Sequence, residues 1–499
     1  MKICDFFHIF PISCYFLQIM QLYCFYIVII LFICYTLFTM KNMDLHTNDN
    51  NNLAENKMGV LPVGKLLIEI SLPIMISMLV QALYNIVDSI FVAKLSTEAL
   101  TAVSLAFPIQ NLMISAGVGT GVGINALLSM RLGQKNEKGV TGSALNGIFL
   151  IILTSIFFMI LGFTIPRGYL TTQTEDLQII ELGTEYLQIC MIFCVGLFGG
   201  ITFERLLQAT GRTIYSMISQ ITGAVTNIIL DPILIFGLAG FPAMGIKGAA
   251  WATVIGQILG SIISIILNLK LNKEIKFTLR GFKPDKKIIF DIYKVGLPSV
   301  LLGSIGSVLT YFINLILGSF STVAIAVYGV YFKLQSFVFM PVFGLNNGIV
   351  PIVAYNYGAK NKSRITKSIK LCAFVAFIIM SFGTFIFECF PSFLLNMFSP
   401  NEQMLEIGIP ALRIIAIHFP IAAIGITFTS VFQAFGRGLL SMCVSFIRQI
   451  FALLPSFWLL SLSGNVNNVW WAFVFAELCS LAACIFAMKN VYKTQIKTL

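Results

Sequence analysis

Asp88, Asn227, Asp231 and Thr253 are the residues of this chain best suited to hold a proton or a small cation inside a membrane. All four offer oxygen atoms, and both aspartates lie within long apolar runs. A charge at mid-membrane costs about 2.5–3.5 kcal/mol on insertion scales, so each such residue needs a reason. Gln81, Tyr84, Asn85 and Asp88 are spaced to share one face of a helix. Gln220, Asn227 and Asp231 form a second stripe, and Thr253 and Gln257 a third. No Lys or Arg stands near the aspartates on their own helices. Two close carboxylates in a poorly solvated site cannot both ionise cheaply. A proton or Na⁺ would relieve the repulsion, which is the chemistry of a coupling-ion site.

The chain repeats itself at an offset of 225 residues, and the repeat lacks this site. Leu72-Pro73 returns as Leu297-Pro298, and Gly119, Gly123, Gly133, Lys135 and Asn136 return as Gly344, Gly348, Gly358, Lys360 and Asn361. Gln208, Ala209, Gly211 and Arg212 return as Gln433, Ala434, Gly436 and Arg437, and Ser216-Met217 as Ser441-Met442. The positions matching Asp88, Asn227 and Asp231 are Ile313, Ala452 and Ser456. Acids that served only the shared fold should have left some trace in the copy. Long duplicated apolar segments are the signature of a secondary transporter with its site between two bundles.

The elements that must position these residues follow from composition. The 499 residues are 58% hydrophobic and 11% charged, with mean hydropathy +0.90, which excludes a soluble chain. Twelve apolar helices are expected at about 64–92, 99–130, 138–163, 177–203, 213–237, 246–271, 288–316, 322–353, 365–389, 403–429, 437–461 and 467–489. The fold class is thus an all-α membrane protein of two six-helix bundles, residues 58–268 and 288–489, joined by a basic linker at 269–287 and followed by a tail at 490–499. The net charge of +11 lies in alternate loops. One set holds Arg131, Lys135, Lys138, Arg212, the linker lysines with Arg280, Lys360, Lys362, Arg364, Lys367, Lys370, Arg437 and the C-terminal lysines. The opposite set holds Lys94, Arg167 and Lys247. This asymmetry puts the first set and the C-terminus in the cytoplasm, and it argues against nucleic acid as a partner. It also brings Asp88, Asp231 and Thr253 into the outer half of one bundle. Residues 1–57, an uncharged aromatic run and an Asn-rich stretch, have no counterpart in the repeat and are expected not to belong to the native protein; an extra anchoring helix is the alternative.

Other groups invite weaker readings. Lys333, Arg448 and Glu477 fall near the middle of helices 8, 11 and 12 and read as a compensated charge network of the second bundle, with a second coupling site as the alternative. His418 reads as a packed histidine. Met78, Gln81, Met113, Tyr331 and Phe432 are candidates for a greasy substrate cleft, as are Met75, Tyr328, Phe337 and Met340. Soft methionine and flat rings suit varied apolar or cationic ligands. Cys190 and Cys194 share a helix face and read as packing residues. There is no nucleotide-binding Gly-x-x-x-x-Gly-Lys motif, no metal-ligand spacing and no nucleophile–base arrangement, so neither an enzyme nor a metal site is expected.

Five motifs together resemble the multidrug and toxic compound extrusion (MATE) family: Gln-Ala-Leu-Tyr-Asn-Ile-Val-Asp at 81–88, Arg-Leu-Gly-Gln-Lys-Asn at 131–136, Gln-Ala-Thr-Gly-Arg at 208–212, Asn-Ile-Ile-Leu-Asp-Pro at 227–232 and Gly-Ala-Ala-Trp-Ala-Thr at 248–253. The general style is similar to the MepA-like and DinF-like bacterial members. The resemblance implies a multi-pass antiporter of the bacterial cytoplasmic membrane, monomeric, that exports small amphipathic compounds, often cationic, in exchange for H⁺ or Na⁺ and uses no other cofactor. It implies an ion site at Asp88, Asn227, Asp231 and Thr253, with Tyr84 beside them. The acidic residues that another branch carries on helices 7, 8 and 10 are missing here; helix 7 offers Thr310, Tyr311 and Asn314. A flippase for a lipid-linked glycan is the alternative function. It calls for a more basic cavity, for which Lys333, Arg413 and Arg448 are the candidates.

Overall fold

The computed structural model describes residues 56–278, 282–398 and 401–499. The N-terminal extension, up to residue 55, and Arg280 lie outside the described residues. Among the described residues there is no strand. Ten helices are long and apolar enough to cross a membrane, or twelve spans if two bent pairs each count as one.

The first six are α1 (Val63–Ala93), α2 (Thr97–Gly133), α3 (Glu137–Thr171), α4 (Leu177–Ile192 and Val195–Ala209, bent by 45°), α5 (Thr213–Phe236) and α6 (Ile246–Leu271). The second six are α7 (Lys286–Gly318), α8 (Thr322–Gly358), α9 (Lys362–Cys389), α10 (Glu402–Ala416 and Phe419–Ala434, bent by 48°), α11 (Gly438–Phe446, continuing through Ile447–Leu453 and Leu454–Ser461) and α12 (Trp471–Val491). The third and eighth helices run past their expected ends at 163 and 353, to Thr171 and Gly358, and they contain Pro166 and Pro351. Both prolines sit inside continuous helix, because packed neighbours shelter the backbone group a proline frees.

The duplication extends to punctuation. Ser96 and Ser321 cap α2 and α8, Asn136 and Asn361 cap α3 and α9, and Asp176 and Asn401 cap α4 and α10. Each pair is 225 residues apart. A side-chain oxygen there meets a backbone N–H that the first turn leaves without a partner. Lys135 and Lys360, just before the asparagine caps, are left-handed at φ 56° and 57°. The recurring Lys-Asn pair is therefore a turn, which explains its retention without any role in binding.

Pro73 cannot donate to the Glu69 carbonyl one turn earlier. The Thr213 hydroxyl donates to that oxygen instead, at 3.2 Å. At the duplicate place the backbone of Gly438 lies against the carbonyl of Lys294, four residues before Pro298.

Two helices belong to both lobes. Leu66, Leu67, Ile70, Met75 and Leu79 of α1 pack in one core with α8, α9 and α10, whereas Val87, Phe91 and Val92 pack with α2, α4 and α6. In α7, Ile292 packs with α2 and α3, and Ile313 and Leu317 with the second lobe. Each helix starts in the opposite lobe and ends in its own. Arginines hold both starts: Arg364 donates to the carbonyls of Met58 and Leu61 at 3.0 and 2.7 Å, and Arg131 pairs with Asp291 at 3.7 Å. The Lys/Arg-rich loops share this end of the bundle, called the basic face below.

At the basic face α2 and α8 cross backbone to backbone. A Cβ on Gly133 would lie 1.9 Å from the Tyr355 carbonyl oxygen, and one on Gly358 would lie 2.0 Å from that of Met130. Neither glycine can accept a side chain unless the helices part. Gly133→Ala should therefore lose about 1–3 kcal/mol or more through overpacking. The control is Gly168→Ala, which meets nothing within 4 Å. Heating followed by fluorescence-detected size exclusion compares them; equal melting would show that the crossing is slack.

Candidate functional site

A cavity of about 320 Å³ lies in the first lobe between α1, α2, α4, α5 and α6, with Met340 and Asn347 of α8 contributing from the other lobe. Small residues make room for it and for its polar lining. A Cβ on Gly256 of α6 would lie 2.7 Å from the Gly223 carbonyl of α5 and 3.2 Å from the Asn227 Cβ. This close crossing sets Asn227 against Thr253.

The Asn227 amide donates to Asp231 Oδ1 at 3.3 Å and approaches Thr253 Oγ1 at 3.4 Å. Asp231 is fully buried. Tyr84, Asn85, Asn227 and Thr253 line the cavity, and Gln81 accepts from the Gln220 amide at 3.0 Å, tying α1 to α5. The structure thus brings together Tyr84, Asn227, Asp231 and Thr253, with Asp88 one turn beyond Tyr84 on the same face of α1.

Among the described residues three buried acceptors here lack a donor: Asp88 Oδ1, Asn227 Oδ1 and Asp231 Oδ2. A buried acceptor left without a partner costs about 1–3 kcal/mol, and more when charged. No ion pair is formed by Asp88 or Asp231 among the described residues. The arrangement can take up a proton or a small hard cation, which oxygen ligands suit.

The sequence reading missed two charged residues of this cavity. Glu204 and Arg205 line its end nearer the basic face, together with Gln208. Ser219 Oγ donates to Glu204 at 3.4 Å. The Arg205 guanidinium donates to Gln208 Oε1 at 2.9 Å and to Asn347 Oδ1, across the lobe boundary, at 3.3 Å. Neither acceptor carries charge, and among the described residues Glu204 forms no ion pair. Glu204 is five residues from the end of α4 at Ala209, a place that normally reaches interfacial water. Only the packing of α1, α5 and α8 over it makes it internal.

The expected substrate residues divide. Met78 and Gln81 line the cavity, as does Met340. Met113, Tyr331 and Phe432 do not: Met113 is buried in the core of the first lobe, and Tyr331 and Phe432 in that of the second. Met75, Tyr328 and Phe337 are also core residues. Large apolar side chains bury whichever face meets another helix, and the sequence does not distinguish that face from a cleft wall. In the second lobe Arg448 and Glu477 pair at 3.6 Å, whereas Lys333 is exposed and joined to neither. His418 is buried at the α10 bend with Nδ1 against the Ile415 carbonyl, and Cys190 and Cys194 are buried and free.

The MatE family pattern matches residues 73–233 and again 298–458. The multidrug export protein MepA of Staphylococcus aureus (strain NCTC 8325 / PS 47) is 29% identical over 448 residues, covering 85% of this chain and 93% of that protein. MepA of Staphylococcus haemolyticus (strain JCSC1435) is 28% identical over 442 residues, covering 86% and 94%. Among solved structures, a MATE transporter crystallised with MaL6 superimposes with a TM-score of 0.84 at 23% identity, covering 90% of this chain and 100% of that one. A MOP superfamily transporter from Pyrococcus furiosus gives 0.82 at 22% identity, covering 89% and 99%.

The division between cavity and core is open to chemical test. In a cysteine-free background, Met78→Cys and Met340→Cys should react with a water-soluble thiosulfonate reagent, and Met113→Cys should not. Equal labelling of all three would reject the cavity wall drawn here.

Proposed function

The chain belongs to the MatE family of multidrug efflux transporters, and from that premise we propose that it exports amphipathic, often cationic compounds in exchange for H⁺ or Na⁺ bound at Asp88 and Asp231. The observation that carries this reading is the trio of buried acceptors without donors on Asp88, Asn227 and Asp231. The basic face is read as cytoplasmic, since Lys and Arg are retained on that side.

The ion enters from outside and neutralises the aspartates. Asp88 and Gln81 lie on α1, so a change in charge at the site alters the hold of α5 on α1. Substrate leaves outward as α1 shifts. The lobes then part at the basic face, where the ion is released and new substrate is taken up. Each elementary charge moving through 100 mV supplies about 2.3 kcal/mol, roughly a 50-fold concentration ratio.

Cationic cargo is supported by the charge of the cavity region: Asp88, Asp231 and Glu204 against Arg205 alone. Met78 and Met340 supply adaptable apolar contact. The same balance of charge opposes a lipid diphosphate, so the flippase alternative is not favoured.

Reconstituted efflux of a fluorescent cation, with the Na⁺ and pH gradients imposed separately, tests the proposal. Asp88→Asn and Asp231→Asn should each abolish gradient-driven efflux at normal expression. Efflux at wild-type rates in both variants would end this reading. Glu204→Gln should raise the KM for the cation at least tenfold; an unchanged KM would remove Glu204 from substrate selection.

A further inference from the structure

Glu477 on α12 is a buried carboxylate that the cycle above does not use. Its Oε2 is 3.6 Å from Arg448 Nη1, and its Oε1 is buried without a hydrogen-bond partner. Gly425 of α10 makes room for that oxygen, since a Cβ there would lie 3.3 Å from it. Arg448 stands in a π-helical stretch, Ile447–Leu453. Such wide turns are rare and gather at functional sites, where they re-aim a side chain.

The register gives this pair its meaning. The loop after the fifth helix spans 237–245 in the first lobe and 462–465 in the second, so the offset is 225 residues before it and 220 after it, and positions 448 and 477 are the duplicates of Gly223 and Gln257. Gly223 lies one turn before Asn227, and Gln257 one turn after Thr253. Both lobes therefore place a carboxylate-bearing polar cluster between their fifth and sixth helices, the second lobe's lying one turn nearer the basic face. In the first lobe no covalently attached cation pairs with the acids. In the second a guanidinium does, and it stays charged at any pH the protein meets.

We propose that Arg448 is a resident cation occupying a latent monovalent-cation site of the second lobe, so that Glu477 is compensated throughout the cycle and only the first lobe exchanges an ion. The proposal rests on the reading of Asp88 and Asp231 as the exchanging pair. It explains how two duplicated lobes work with one ion site.

The other titratable groups facing the pair carry no permanent charge. They are Tyr331 of α8, His418 at the α10 bend and Cys484 of α12. Lys333 is exposed, and Arg413 turns to Glu388 at 4.0 Å.

The test measures melting of the purified protein, beside the wild type at each condition, at neutral and acid pH, with ethylguanidinium chloride or an equal concentration of KCl. Arg448→Ala leaves an unmatched buried carboxylate and should melt earlier at neutral pH. Its folded form then takes up a proton that the unfolded chain does not need, so its stability rises as pH falls. Acid and ethylguanidinium should each recover part of the loss, and KCl should not. The double variant Arg448→Met/Glu477→Gln should melt near the wild type and keep its number of ions exchanged per substrate. Two results would overturn the proposal: an Arg448→Ala protein that responds to neither acid nor ethylguanidinium, or a double variant with altered ion coupling. If Arg448→Ala does not fold, the double variant decides by the same criterion. Melting is read without transport, so failure here is distinct from retained efflux in the aspartate variants.

Discussion

A carboxylate enclosed among transmembrane helices must be matched by positive charge, because neither lipid nor packed side chains solvate it. That requirement organises both lobes. In the first, Asp231 receives one hydrogen bond from the Asn227 amide, and its other oxygen stays bare. A neutral amide cannot cancel a full charge, and in the proposed exchange the match is a proton or cation that enters and leaves. In the second lobe Glu477 has Arg448 at 3.6 Å. The same fold thus carries a site that needs a mobile partner and a site with an attached one. Selection on a duplicated gene can separate these roles without altering the backbone, since the helix caps and glycine crossings serve both halves alike.

In the proposed cycle the path from charge to movement runs along α1. Its first half is packed in the core of the second lobe, and its second half carries Asp88 into the first. Gln81 is held by Gln220, and Met78 touches Asn347 of α8 through its sulfur at 3.7 Å. A change at the aspartates therefore reaches the lobe boundary within one helix, without a relay of separate parts. Pro73 adds a place where α1 is weakened, and Thr213 of α5 holds the carbonyl that the proline frees. Loss of one hydroxyl contact would let the helix bend there at small cost, since an exchanged hydrogen bond is worth only about 0.5–1.5 kcal/mol net.

Much of this was legible in the sequence, and the reason is periodicity. Apolar length marked the spans, the 225-residue offset marked the lobes, and the stripes at Gln81–Tyr84–Asn85–Asp88 and Gln220–Asn227–Asp231 marked the facing sides. Three kinds of feature were not legible. Glu204 and Arg205 sit so near the end of α4 that position along the chain suggests water; their enclosure depends on helices remote in sequence. Met113, Tyr331 and Phe432 are apolar on helices that are apolar nearly all round, so no moment distinguishes core from cleft. The crossing of α1 and α7 between lobes is a tertiary choice. Glycines such as Gly119 and Gly344 recur in the sequence, but their partners, Val300 and Met75, follow only from the packed structure.

The placement of Arg205 bears on what the cavity can select. Had its guanidinium paired with Glu204, the two charges would cancel and the chamber would have little field near the basic face. Its hydrogen-bond partners are instead two neutral amide oxygens, one on each lobe, and Glu204 accepts from a serine hydroxyl. Amide acceptors hold an arginine in place without discharging it, and Asn347 belongs to the lobe that must move. The contact spans the two lobes, so parting them at the basic face, as the proposed cycle requires, would break it. When they part, Arg205 loses one of its two acceptors and is freer to turn toward Glu204. A cation bound beside Glu204 would then face competition from a tethered guanidinium. Closure of the basic face and affinity for a cationic guest are, on this geometry, two consequences of one hydrogen bond.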